Sequence, residues 1–172
     1  TGGGTTVTIT GVNLAGAAAV KFGTVAATIV SNTATQIVVV SPAEPAGVVD
    51  VTVTTSAGTS AITAADRFTV AALTAPTALA PAGAVAAGAG YDTPTFRWSA
   101  VAVANHFALW VQDAATGAVV LNNTNVGGGT SFTSTTPLTP GHTFTWYIGS
   151  VGADNSIVWR AAQSFGLAAL PP

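Results

Sequence analysis

Apolar and polar residues alternate with a period of two along much of this chain. In Thr5-Thr6-Val7-Thr8-Ile9-Thr10, Val7 and Ile9 fall on one face and threonines on the other, the pattern of a half-buried β-strand. Similar short runs occupy residues 18–22, 25–30, 36–40, 48–55 and 67–70. In the longest, Val49, Val51 and Val53 share a face and Asp50, Thr52 and Thr54 lie opposite. Turn formers separate the runs: Gly11, Gly16, Gly23, Ser31-Asn32, residues 42–45 and Ala57-Gly58. No stretch shows capped helical periodicity beyond a turn or two. The predicted class is all-β, with antiparallel pairing.

Near residues 71–76 the alternation gives way to Ala, Thr and Pro, which predicts a boundary between domains 1–71 and 72–172, the second opening on an Ala/Pro-rich linker. Beyond it the strand pattern returns with larger residues, at 95–98, 106–111, 118–121, 131–134, 143–148, 157–159 and 163–167. All four Trp lie in this half. Domains of about 70 and 100 residues each bury only a modest core, so aromatics supply much of the apolar area in the second. The expected architecture is two tandem immunoglobulin-like antiparallel β-sandwiches.

Composition narrows the chemistry. The 172 residues include four Lys and Arg and six Asp and Glu, 6% charged in all, where about 25% is usual. Four cations cannot form the phosphate-neutralising patch that nucleic-acid binding needs. With no Cys, disulfides, thiolate metal sites and cysteine nucleophiles are excluded. Low charge without low hydrophobicity does not describe a disordered chain, since 49% of residues are apolar. The uncharged stretch 68–91 is long enough to cross a bilayer, but it is Ala-rich and holds Pro76, Pro81, Gly83, Gly88 and Gly90. It reads as a linker plus an edge strand, not a membrane span. The chain starts at Thr1 with no basic segment leading into an apolar one, as expected of a mature form or an excised piece.

Residues 1–70 carry a motif series: Gly2-Gly3-Gly4-Thr5-Thr6-Val7-Thr8-Ile9-Thr10-Gly11-Val12-Asn13-Leu14, Val20-Lys21-Phe22-Gly23, Thr35-Gln36-Ile37, Val40-Ser41-Pro42 and Val49-Asp50-Val51-Thr52-Val53, followed by Gly58-Thr59-Ser60 and a tail to Phe68. This series resembles a TIG-type immunoglobulin-like domain. The family usually opens with a strand ending in a Ser-Pro-x-x-Gly element, whereas this chain begins at the Gly-Gly-Thr turn. The resemblance therefore implies an absent opening strand and an open groove with unpaired backbone groups. In the second half, Pro94-Thr95-Phe96-Arg97-Trp98-Ser99-Ala100-Val101, His106-Phe107-Ala108-Leu109-Trp110-Val111 and Leu138-Thr139-Pro140-Gly141-His142-Thr143-Phe144 resemble a fibronectin type III-like sandwich. Phe144 stands where that family places a corner Tyr, so the usual hydroxyl bond is lost. Both families are dominated by binding and scaffold modules.

Candidate catalytic residues are few. His106, at a strand start, and His142, in a turn, are the general-base candidates and read more simply as exposed or edge-packed. No nucleophile elbow, phosphate loop or His-Glu-x-x-His motif occurs. Asp113 reads as a hairpin-turn residue, and Asp154 lacks the spaced acidic partners of a calcium loop. The expectation is therefore no catalytic residue, no cofactor and no metal. Trp110, Trp146 and Trp159 are the candidate ligand aromatics, the expectation being that Trp146 lies on the face opposite Phe144 and Tyr147, so that one of these aromatics faces outward. The Thr- and Val-rich strands carry almost none of the charge that ordinarily protects sheet edges. Thr5, Val7, Ile9, Leu167 and Leu170 are the candidate assembly contacts, the last two from an apolar tail ending at Pro172. The expected function is a structural or adhesive module of a secreted or surface bacterial protein, self-associating through strand edges into a filament or surface assembly. Its expected partners are copies of itself or neighbouring surface domains, with no nucleic acid. The alternative is a polysaccharide-binding accessory region of a secreted enzyme.

Overall fold

The computed structural model describes residues 3–170, which fold as two compact units, one of residues up to Ala72 with Ala153–Asn155, the other of Leu73–Gly152 and the residues from Ser156 on. In the first unit the strands are β1 (Thr6–Thr10), β2 (Ala19–Phe22), β3 (Val25–Ala26), β4 (Thr28–Asn32), β5 (Gln36–Val40), β6 (Gly47–Thr55), β7 (Gly58–Thr59) and β8 (Arg67–Val70). They form two facing sheets. One has the order β1-β5-β4; the other runs β3-β2-β6-β7, with β8 also paired to β6. The run at 25–30, expected as one strand, is divided between them: β3 pairs with β2 and β4 with β5. The chain changes sheets at Ala27, whose amide bonds back to Val20 O at 2.8 Å. The two-residue turn between β2 and β3 needs a left-handed residue, and Gly23 supplies it at φ +55°. A 3-10 turn at Ala64–Asp66 precedes β8, closed by a capping box in which Thr63 and Asp66 each accept from the other's end of the turn.

Val20, Phe22, Ile37, Val39 and Val53 make the buried core of this unit, with Phe68 edge-on to Phe22 at 5.0 Å. Burying each such side chain contributes about 1.5–3 kcal/mol.

The second unit contains β9 (Ala78–Ala80), β10 (Gly83–Val85), β11 (Thr95–Trp98), β12 (His106–Asp113), β13 (Val119–Asn123), β14 (Ser131–Thr133), β15 (Thr143–Val151), β16 (Ile157–Trp159) and β17 (Gln163–Leu167). Its sheets are β14-β11-β9 and β10-β17-β15-β12-β13, with β16 on the far part of β15. All pairings are antiparallel except β10 with β17. The expected linker is thus partly built into the sandwich. Ala78–Val85 turns at Pro81 and lends one edge strand to each sheet, where a missing Pro N–H leaves no ladder position empty.

Eleven buried residues form this core, including Trp98, Trp146, Phe96, Phe144 and Phe165. Phe96 meets Trp146 at 5.1 Å and Phe165 at 5.9 Å, both edge-on, the geometry that aromatic quadrupoles favour. Among the described residues, no helix is long and apolar enough to cross a membrane.

Candidate functional site

Two surfaces and one half-buried polar pair carry the chemistry of the molecule. The first surface is the open side of the first unit. Among the described residues β1 pairs only with β5, in the register Thr6↔Val40 to Thr10↔Gln36. Residues of an antiparallel ladder alternately point their N–H and C=O toward and away from the partner strand. Gly11 N donates to Thr35 O at 3.0 Å and Ser41 N to Thr5 O at 2.8 Å. This parity turns the backbone of Val7 and Ile9 toward β5 and directs that of Thr6, Thr8 and Thr10 out from the free edge. Beside that edge lies a groove of about 510 Å³, running between β1 and the Ala65–Phe68 segment. Its floor includes Val7, Ile9, Leu14, Val51, Val53 and Phe68. Val7 and Ile9 are consequently only half-buried, although they face the core.

The second unit shows what occupies such a place. Its β9 covers the outer edge of β11, and its β10 covers that of β17. β11 sits between β9 and β14, as β1 sits beside β5; among the described residues no strand covers β1. Thr5 and Leu170 lie at the surface, Leu170 being 68% exposed. Leu167, expected in a free tail, is a core residue of β17, paired with Val85. Pro171 and Pro172 lie outside the described residues.

The second surface is the outward face of β12 and β15. Trp110 stands opposite Tyr147, with ring centroids 5.0 Å apart, and both are half-buried. Trp159 is 45% exposed. Trp146, expected among the ligand aromatics, is fully buried and donates its indole N–H to Pro81 O at 3.1 Å. Phe144, Trp146 and Ile148 share the inward phase of β15, so the outward aromatic there is Tyr147.

Spacing gave no hint of the half-buried polar pair. His142 Nδ1 donates to Asp113 Oδ2 at 2.7 Å, joining residues 29 positions apart. Asp113 ends β12 with its side chain buried, and its other oxygen accepts from Ala115 N at 2.8 Å and Thr116 N at 3.3 Å. The His142 hydrogen bond, helped by these two amides, holds the Asp113 carboxyl below its ordinary value, against burial, which raises it. Asp113 is thus bonded both within its own turn and to His142, so the pair fastens the β12–β13 turn to the start of β15. Among the described residues no three His, Asp or Glu side chains gather as a metal-holding group.

The fold defines an all-β protein of immunoglobulin-like antiparallel sandwiches. Its first unit matches the IPT/TIG domain family over residues 1–70; the second unit lies outside that match. No curated protein matches the chain. Among solved structures it is similar to the mixed-linkage glucan utilization protein SGBP-B of Bacteroides ovatus, crystallised with a mixed-linkage heptasaccharide (16% identity, 98% of this chain and 42% of that one, TM-score 0.34). It is also similar to the fibronectin(III)-like modules of CbhA from Clostridium thermocellum (12% identity, 96% and 86%, TM-score 0.39). A third likeness is to the γ-CGTase of alkalophilic Bacillus clarkii (14% identity, 95% and 24%, TM-score 0.36). The chain spans less than half the length of the first of these and about a quarter of the third. At such identities and scores, what those proteins bind or catalyse remains theirs alone.

Proposed function

We propose that this chain is a non-catalytic structural or adhesive module of a secreted or surface bacterial protein, built as a TIG-type sandwich at 1–71 and a fibronectin type III-like sandwich at 72–172, and that it associates with its own copies through the edge of β1. The observation that carries this reading is the β1 edge, uncovered among the described residues, beside an apolar groove. Three residues offer paired backbone donors and acceptors there, and an added strand would place alternate side chains over Val7, Ile9 and Phe68. Nothing on β1 opposes such pairing. Its sequence, Thr-Val-Thr-Ile-Thr, has no charge, Pro or bulge, the devices that ordinarily block edge-to-edge contact. At the other edge of the same sheet, β4 is also uncharged but carries a bulge between Ile29 and Ser31, which leaves β1 the more receptive edge. If β1 meets β1, a closed two-fold pair results; if it receives a different edge, the contact repeats into a filament.

Light-scattering mass measured over a concentration series tests the reading. The full chain is expected to exceed the mass of one copy as concentration rises, and Thr8→Pro, which removes an edge donor that β5 does not use, is expected to stay monomeric. A monomer at every concentration, or association unaffected by Thr8→Pro, contradicts it.

A further inference from the structure

The outward face of the second unit's larger sheet has a composition unlike the rest of the surface. Trp110 and Tyr147 form one cross-strand pair, and two residues along β15, a repeat of about 7 Å, Gly149 stands opposite Trp159. A Cβ at position 149 would lie 2.8 Å from Ile157 Cγ2, 2.9 Å from Trp159 Cε3 and 3.0 Å from Cδ2. Two bonded atoms of the indole thus pack against the glycine beside Ile157, while Trp159 keeps 45% of its surface exposed. The absence of a side chain at Gly149 makes room for this seat. Three aromatic rings therefore stand on one sheet face in two neighbouring rows.

The polar residues in this array are neutral. Asn122 stands opposite Trp110, and Gln112 opposite Thr145. Thr145 in turn meets Ser164 at 3.4 Å between hydroxyl oxygens. Apart from His106 at the start of β12, no His, Asp, Glu, Lys or Arg occupies an outward position of β12, β15 or β16. A surface of this kind offers no partner for a phosphate backbone, whose binding draws on cations, and none for a charged peptide. It does suit pyranose rings. Their faces present weakly polarised C–H groups to the electron-rich faces of Trp and Tyr, while their hydroxyls meet neighbouring amide and hydroxyl side chains.

We propose that the face formed by Trp110, Tyr147 and Trp159 binds a neutral polysaccharide by stacking successive sugar rings along β12, β15 and β16. The site lies on the second unit and makes no use of β1, so failure of glycan binding and failure of self-association are separate results. Affinity electrophoresis of the full chain in gels containing hydroxyethylcellulose, xyloglucan, galactomannan or soluble starch tests it, with polygalacturonate as the charged comparison. At least one neutral polymer is expected to retard the chain, and polygalacturonate is not. Trp159→Ala is expected to weaken that retardation at least tenfold, and Gly149→Ala, whose Cβ would push on both Ile157 and the indole, severalfold. Trp159→Phe should keep most of the binding. Thermal unfolding of each variant separates loss of the site from loss of the fold, since Trp159 is outside the core. The proposal is overturned if no neutral polymer retards the chain, if only polygalacturonate does, or if a retarding polymer binds well-folded Trp159→Ala and Gly149→Ala as tightly as the parent.

Discussion

The two sandwiches solve the same problem with different completeness. In the second, the Ala78–Val85 segment runs along the side of the domain and covers an edge of each sheet, so eleven residues, two of them Trp, are sealed in the core. In the first, five residues are sealed, and the side beside β1 stays open over half-buried Val7 and Ile9. An edge strand in this architecture therefore does two things at once. It pairs a free ladder and it roofs apolar side chains, and a unit without it keeps both needs at one place. The second unit displays its special residues on a closed sheet face; the first offers an unfinished sheet.

This contrast can be broken or sharpened by substitution, and the largest effect belongs to the sealed core. Trp146→Ala is expected to cost about 3–5 kcal/mol and to lower the denaturant midpoint of the second unit, the first unit's transition staying in place. Equal loss in both units would show that they do not unfold as separate bodies. Within the first unit, Ile37→Ala at a fully buried site is expected to cost about 2–5 kcal/mol, and Ile9→Ala, on the groove floor, about 1 kcal/mol in dilute solution, because water already reaches it. Similar costs for the two would mean that the groove is roofed even in the monomer.

A smaller effect should appear on acidification. The Asp113 carboxyl is held below its ordinary value in the folded chain, chiefly by His142, so it contributes stability that is present above the unfolded-state value, about 3.9. That stability is lost as pH falls through the lowered folded value. Asp113→Asn is expected to be less stable than the parent near neutrality, and the gap in melting temperature should narrow as pH drops below about 4. A gap that is constant with pH would remove the ion from the account of this turn. Thr8→Pro should change the melting temperature of dilute protein least of all, since β5 makes no use of that amide.

The sequence made much of this fold readable where β-branched residues alternate. β1, β5, β6 and β15 stand where the period-two runs lie, and the all-β class follows from them. β9 and β10 were hidden because Ala, Gly and Pro carry no alternation that marks a strand; their pairing is with residues far along the chain. Trp146 stood with the ligand aromatics on an alternation that set it opposite Phe144 and Tyr147, whereas Phe144, Trp146 and Ile148, two residues apart, share the inward phase. Trp159 could be proposed from its type, but its seat on Gly149 depends on a pairing between β15 and β16. The Asp113–His142 bond could not be found by spacing either, as a strand pairing brings its ends together. The unpaired parity of Thr6, Thr8 and Thr10 needed the register with β5.

That parity is where the account is tested most directly. Amide hydrogen exchange followed residue by residue over a range of protein concentrations reads the β1 edge itself, with the Ser99 amide, bonded to Thr77 O at 2.9 Å beside β9, as an internal reference. The expected result is fast exchange at Thr6, Thr8 and Thr10 in dilute solution, slowing together as concentration rises, while Ser99 is protected throughout. Fast exchange of those three amides at every concentration would contradict strand addition at β1.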